Sequence, residues 1–242
     1  MKETHPKAAS RPAFVFPTSC RLNVASPPSS PSCWAEPCSA SQTCAAARFH
    51  TEPPFAVVRK RGYTLDQDVK LFFALGNTMH DAAIVTIDCK VYFDGARPEP
   101  LIQTLYRGKQ VKAWGGPNQG TREVAGEAWR PYLATSASPE HVSGHSTFGG
   151  AGARIMKLAT GGDGFGYVAV VKAGKFRREK GPAEDVELKL ETFSVVARDM
   201  GASRLYGGIH FWSADEAGQL MGRAAAEKVW VKVDRLASGG VR

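Results

Sequence analysis

The chain has 242 residues, 43% of them hydrophobic, so it can bury one sizeable core and is neither a stapled mini-protein nor disordered over most of its length. Lys and Arg number 31 against 23 Asp and Glu, a formal net charge of +8, which favours an anionic partner without choosing between nucleic acid, a membrane surface, phosphate or another oxyanion. No run approaches the ~18 to 20 consecutive apolar residues that span a bilayer, and the N-terminus lacks the apolar centre of a secretory signal, so the chain reads as soluble with no membrane span.

Residues 1–55 are expected to be a disordered or targeting segment. The stretch is rich in Ser, Pro and Ala, as in Ala25-Ser-Pro-Pro-Ser-Ser-Pro-Ser32, and its first fifty residues hold only Glu3 and Glu36 as acids. It buries too little apolar surface to offset the entropy of ordering, and its low acidity also suits an organellar transit peptide. Four of the five cysteines, Cys20, Cys33, Cys38 and Cys44, fall here, with Cys89 further on. None forms a CxxC pair or shows the His and Cys spacing of a zinc site, so they read as free thiols.

A helical domain is expected over residues 63–236. Leu65, Val69, Leu71, Phe72, Leu75, Met79, Ala82, Ala83 and Val85 recur at three- and four-residue steps, predicting a long helix towards Phe93 with a break near Gly76. Gly115 to Tyr132 carry Gly-Gly-Pro, Asn-Gln-Gly and Arg-Pro and read as a loop. A second helix should open near Ser143 and run through Met156, its Gly149-Gly-Ala-Gly152 interior implying close packing on a neighbour. Tyr167 to Val171 and Val186 to Leu190 predict a small β-hairpin around a basic turn. The turn's cations, Lys172, Lys175, Arg177, Arg178 and Lys180, read as a solvated loop with no nucleic-acid partner, since no interleaved aromatics or recognition module accompany them. Thr192 should cap a helix that Gly201 ends, and Ser213-Ala-Asp-Glu216 has capping-box spacing for a last helix reaching about Leu236. The fold class is therefore mainly α, a helical bundle with a small β-hairpin insertion and a disordered N-terminus.

Three clusters carry chemistry suited to an oxyanion. Lys90 and Arg97 lie seven residues apart, so a helix continuing through Phe93 would present both cations on one face before Pro98 stops it. Ser143-Gly144-His145 opens the Gly-rich helix, where unpaired amides and the positive end of the dipole meet anions, and His145 sits in its first turn at a depth to exchange a proton with a bound oxygen. Ser143 has the alternative of simply capping that helix, and His141 reads as flanking. In the third, Ser203-Arg204 is followed by His210, joining a planar guanidinium fork to an imidazole with nucleophilic and metal-binding capacity. Together the clusters offer three cations and two imidazoles to a divalent or trivalent oxyanion.

In this order the clusters read Lys90-Val-Tyr-Phe-Asp-Gly-Ala-Arg97-Pro98, Val142-Ser-Gly-His145 and Ser203-Arg-Leu-Tyr-Gly-Gly-Ile-His210. They resemble the signature of the type-2 phosphatidic acid phosphatase and vanadium-dependent haloperoxidase superfamily, over roughly Asp68 to Arg223. The flanks His80-Asp81-Ala82-Ala83, Pro139-Glu140 and Arg204 through Phe211 are similar to the soluble haloperoxidase branch. Val142 stands where the pattern has proline. Ala214 stands where many relatives carry an acid four residues after the last histidine, which leaves the orienter of His210 open, with Asp215 one place later serving either that purpose or the helix cap.

The resemblance implies a helical bundle of the acid phosphatase and vanadium haloperoxidase type whose N-terminal half this sequence lacks. It implies vanadate as cofactor, its oxygens held by Lys90, Arg97, Ser143, the Gly144 amide and Arg204, with vanadium bound by His210. His145 would be the acid–base residue and Lys90 would polarise hydrogen peroxide, so that halide is oxidised and a small organic acceptor halogenated. A phosphatase of the superfamily would use the same residues on a phosphoester through a phosphohistidine at His210. A third reading is a truncated, non-catalytic anion-binding relative. Helices without the missing half would expose apolar faces, which a homo-oligomer could cover. Ile87 and Ser138, near the pocket by motif position, leave halide preference open.

Overall fold

The computed structural model describes residues 53–175 and 180–240. The expectations for residues 1–52, including their four cysteines, lie outside the described residues, as do those for Arg177 and Arg178. Among the described residues the architecture is mainly helical, with two small antiparallel hairpins where one was expected.

Helix α1 (Pro53–Arg61) precedes the expected domain start and buries Val57 in the main core. Helix α2 (Leu65–Phe93) opens on a capping box between Thr64 and Gln67. It runs through Gly76 without the expected break. The stripe Leu71, Leu75, Met79 and Ala82 packs into the core on both sides of that glycine, and its burial outweighs the ~1 kcal/mol by which a helical glycine falls short of alanine. The far side of α2 leaves Val69, Phe73, Ile84, Ile87 and Val91 exposed.

Beyond Phe93 the helical reading of Lys90 and Arg97 needs correction. Asp94 takes a left-handed conformation (φ 42°) and ends α2, and Arg97 stands at the N-cap of a new helix, α3 (Pro98–Leu105). Pro98 therefore starts a helix rather than stopping one, at the first position, where its missing N–H has no partner to lose. Strands β1 (Gln110–Trp114) and β2 (Thr121–Ala125) form a hairpin inside the expected loop, and the Gly, Pro and Asn punctuation at residues 115–120 is its turn. A satellite cluster of Ile102, Ala113 and Trp129 lies under it.

Helix α4 (Gly144–Thr160) is the centre of the bundle, packed against α2, α5 (Phe193–Tyr206) and α6 (Trp212–Ala237). The expected hairpin is β3 (Gly164–Val171) with β4 (Val186–Thr192), in the register Tyr167 to Leu190 and Val171 to Val186. Thr192 caps α5 as expected, through its side chain to the Val195 amide. Gly201 does not end that helix. A Cβ there would lie 1.9 Å from Asp215 Oδ1, so the glycine admits a neighbouring side chain and the helix continues to Tyr206. Helix α6 begins one residue before Ser213 with no side-chain cap, because the Phe211 carbonyl takes the Ala214 and Asp215 amides directly. Among the described residues, no helix is long and apolar enough to cross a membrane.

Close packing of the Gly-rich helix is present as expected. A Cβ at Gly150 would lie 2.4 Å from the Gln219 carbonyl oxygen, and one at Gly222 would lie 2.0 Å from that of Thr147, so α4 and α6 meet backbone to backbone. Gly222→Ala is expected to destabilise the protein by ~1–3 kcal/mol through overpacking. Gly76→Ala, where nothing lies within 4 Å of the added carbon, is expected to stabilise it by ~0.5–1 kcal/mol. Urea unfolding of the two variants measures both.

Candidate active site

The inner stripe of α2 continues from Ala82 through Thr86 and ends on Lys90, so the periodicity that builds the core also delivers an ammonium into it. Lys90 is 2% exposed. Its Nζ donates to the carbonyls of Pro139 (2.6 Å) and Glu140 (3.2 Å), and it sits in the last turn of α2, where the helix dipole favours a cation. Burial, then the nearby Arg97, lower its pKa to about 8, against an opposing pull from Glu140.

Arg97 is also buried, and its fork is spread over two segments distant in sequence. Nε donates to Ser138 O (2.8 Å) and Nη2 to Ser138 Oγ (3.1 Å). Nη1 donates to Ile209 O (2.8 Å) and lies 2.9 Å from His210 Nε2. Burial lowers the pKa of Arg97, but a guanidinium keeps its charge throughout the physiological range.

Ser143 is fully buried and caps α4, its Oγ accepting from the Ser146 amide (3.4 Å) and hydroxyl (2.7 Å), while its own amide donates to Ala214 O (3.0 Å). Gly144 opens the helix and is buried. His145 lies in the first turn, half-buried. His141 packs edge-on against Phe93, with ring centroids 4.8 Å apart, and its burial lowers its pKa. Arg204, in the last turn of α5, is buried and donates through Nε to Ser203 Oγ (3.0 Å).

His210 is held between two groups. Its Nδ1 lies 2.9 Å from Glu140 Oε1, an oxygen that also accepts the Phe211 amide at 2.8 Å. The carboxylate partner assigns the ring proton to Nδ1 and leaves the Nε2 lone pair towards Arg97. Burial foremost, then the charges of Arg97, Lys90 and Arg204, hold its pKa well below the ordinary histidine value, so the imidazole is neutral at neutral pH. Burial raises the pKa of Glu140, against the Phe211 amide and the neighbouring cations.

The first and third motifs thus meet in space: Lys90, Arg97 and Arg204 each act on the His210 imidazole, and Arg97 touches it. Sequence reasoning missed Glu140, quoted only as part of a flank. The available signal was chemical, since a buried histidine needs an acceptor for its ring N–H and Glu140 is the carboxylate nearest the second motif. Ser138, read as a pocket residue, accepts from Arg97 through both its carbonyl and its hydroxyl. Ile87 lies on the outer side of α2, about half exposed. Asp215 accepts from Gln219 Nε2 (3.2 Å) beside Gly201 and makes no side-chain cap.

Chemically the cluster suits an oxyanion. Among the described residues, Glu140 is the carboxylate whose charge reaches both Lys90 and Arg97, so these two buried cations share one anion, and the charge of Arg204 also reaches His210. Buried excess charge of this sign is stabilised by an anion that accepts N–H bonds. Among the described residues, no group of three or more His, Cys, Asp or Glu could hold a metal cation. A single imidazole lone pair among cations is instead the donor set that a metal oxyanion such as vanadate requires, and such a ligand would take over the Arg97 N–H now directed at Nε2. Sulfate, whose charge is fixed across neutral and alkaline pH, is expected to bind with constant affinity from pH 7 to about 8 and to weaken above it as Lys90 loses its proton, by about tenfold per pH unit. Calorimetric titration of the wild type and Lys90→Met, for which the profile should be flat, measures this.

The fold has counterparts among solved structures. The chain resembles a holo-form bacterial vanadium-dependent chloroperoxidase at 20% identity with a TM-score of 0.68, over 81% of this chain and 44% of that one. An apo-form bacterial vanadium-dependent chloroperoxidase is 24% identical with a TM-score of 0.64, over 73% of this chain and 37% of that one. The first bacterial vanadium-dependent iodoperoxidase is 24% identical with a TM-score of 0.54, over 78% and 39% respectively. The chain therefore spans less than half the length of these structures. No curated protein matches it by sequence. The profile of the VCPO second helical-bundle domain matches residues 70–239, which include Lys90, Arg97, Arg204 and His210, and the chain belongs to that family.

Proposed function

We propose that the protein is a vanadium-dependent haloperoxidase-like enzyme that holds vanadate at His210 and oxidises halide with hydrogen peroxide. The observation that carries this reading is the buried His210 ring, held with Nδ1 on Glu140 and Nε2 directed at Arg97 among the charges of Lys90 and Arg204. The chloroperoxidases and the iodoperoxidase of similar fold support the same chemistry.

In this reading Lys90, Arg97 and Arg204, with the Ser143 hydroxyl and the Gly144 amide, would hold the oxygens of vanadate, and His210 Nε2 would be the ligand to vanadium. Vanadate, when bound, supplies the Lewis acidity by which peroxide oxidises halide. His145, in the first turn of α4, accepts and returns the proton of the peroxide, a role to which a half-exposed imidazole is suited. Lys90 adds a positive charge beside the reacting oxygen, and the burial of the cluster strengthens each of these interactions by excluding water. A small organic acceptor then takes the halogen.

The purified chain, assayed with and without orthovanadate, is expected to brominate a dye in the presence of hydrogen peroxide only when vanadate is added. His210→Ala should lower that rate by at least about 10²-fold. Phosphoester hydrolysis that vanadate suppresses, with no bromination, would instead make the site that of a phosphohistidine phosphatase.

A further inference from the structure

We propose that Glu140 is the positioning residue of His210, the role that the sequence leaves open. The importance of the ring orientation rests on the proposed vanadate chemistry, but the orientation itself does not.

Three observations carry the inference. First, both side chains are 5% exposed, and one oxygen of Glu140 receives the ring Nδ1–H at 2.9 Å and the Phe211 amide at 2.8 Å. Binding the ring and the backbone just after it through one atom fixes the imidazole relative to its own chain. Second, Glu140 is anchored from the other side. Its amide donates to Gly95 O (2.8 Å), in the loop between Lys90 and Arg97, and its carbonyl accepts from Lys90 Nζ (3.2 Å). The carboxylate therefore ties His210 to the same segment that carries the two cations. Third, Asp215, the acid that the sequence offers for this role, is engaged elsewhere, lying beside Gly201 and accepting from Gln219.

The consequence concerns which nitrogen faces the anion. A proton on Nε2 would point at the Arg97 N–H, donor against donor, so Arg97 and Glu140 select the same tautomer from opposite sides of the ring. Once an oxyanion takes the Arg97 N–H, Glu140 alone keeps the Nε2 lone pair available. Second-sphere acceptors of this kind set the tautomer and orientation of ligating histidines generally.

The test uses the full chain labelled with ¹⁵N-histidine at a fixed pH of about 7.5, without ligand and with saturating sulfate. Long-range ¹H–¹⁵N correlation reads the tautomer of the ring whose signals vanish in His210→Ala. The wild type and Glu140→Gln, whose amide oxygen accepts both N–H groups, are expected to be protonated at Nδ1 in both conditions. Glu140→Ala is expected to show mixed tautomers, most clearly with sulfate, and to bind vanadate at least tenfold more weakly. Its sulfate affinity, which uses charge and no ring lone pair, should be no weaker than in the wild type. Should Glu140→Ala fail to fold, Glu140→Asp, one methylene too short for the contact, carries the same expectations. An unchanged tautomer or an unchanged vanadate affinity in the variant overturns the proposal. If the wild type binds no vanadate, the haloperoxidase reading falls, and the tautomer measurement alone decides the role of Glu140.

Discussion

Burying Lys90, Arg97 and Arg204 around one imidazole is the constraint on which the rest of the architecture turns. Removing such cations from water is expensive unless every donor finds an acceptor. The protein meets the requirement for Lys90 and Arg97 with backbone carbonyls, those of Ser138, Pro139, Glu140 and Ile209, rather than with a matching number of carboxylates. Carbonyls satisfy the N–H groups but do not cancel the charge, so the cluster stays positive and attractive to an anion. The same bonds fix the 138–140 segment against the end of α2 and against the loop that carries His210, and three stretches distant in sequence become one rigid unit.

The bundle supplies the second requirement, which is proximity. Helices separated by ordinary side chains stand about 8–10 Å apart, and the glycines of α4 and α6 let these two approach until backbone meets backbone. That approach brings Ser143 close enough for its amide to reach Ala214 O, with Gly218 against the Ser143 carbonyl, and so docks the start of α4 beside the start of α6. The motif containing His145 is thereby joined to the start of the helix that follows His210 by backbone contacts that owe nothing to the reactive side chains. Stability and site geometry rest on the same glycines.

Within this frame the chemistry follows from which protons are held where. Glu140 takes the one ring proton of His210, and burial among cations prevents the ring from acquiring a second. A neutral imidazole with its lone pair among cations is poised to bond to an electrophilic centre whose own oxygens are bound by those cations. Vanadium in vanadate and phosphorus in a phosphoester are both such centres, and the arrangement suits either.

Much of this is legible in the sequence, because it depends on local pattern. The three- and four-residue apolar steps predict α2, the side-chain cap at Thr192 predicts the start of α5, and alternating residues predict the hairpin of β3 and β4. The three motifs name Lys90, Arg97, Arg204 and His210 before any fold is known. The misreadings share a cause: Gly76, Pro98, Gly201 and Ser213 each have a usual local meaning, and in each case packing or the position of a neighbouring backbone group decides otherwise. Glu140 is the clearest example. Nothing in its local context distinguishes a surface acid from a buried partner of a histidine seventy residues away. By itself the sequence determined the helical periods and the kinds of chemical group available, since these are set by side chains a few residues apart. Only the tertiary structure decided which donors meet which acceptors and which nitrogen of His210 faces Arg97, because those contacts depend on close helix packing and on carbonyls that no residue name records.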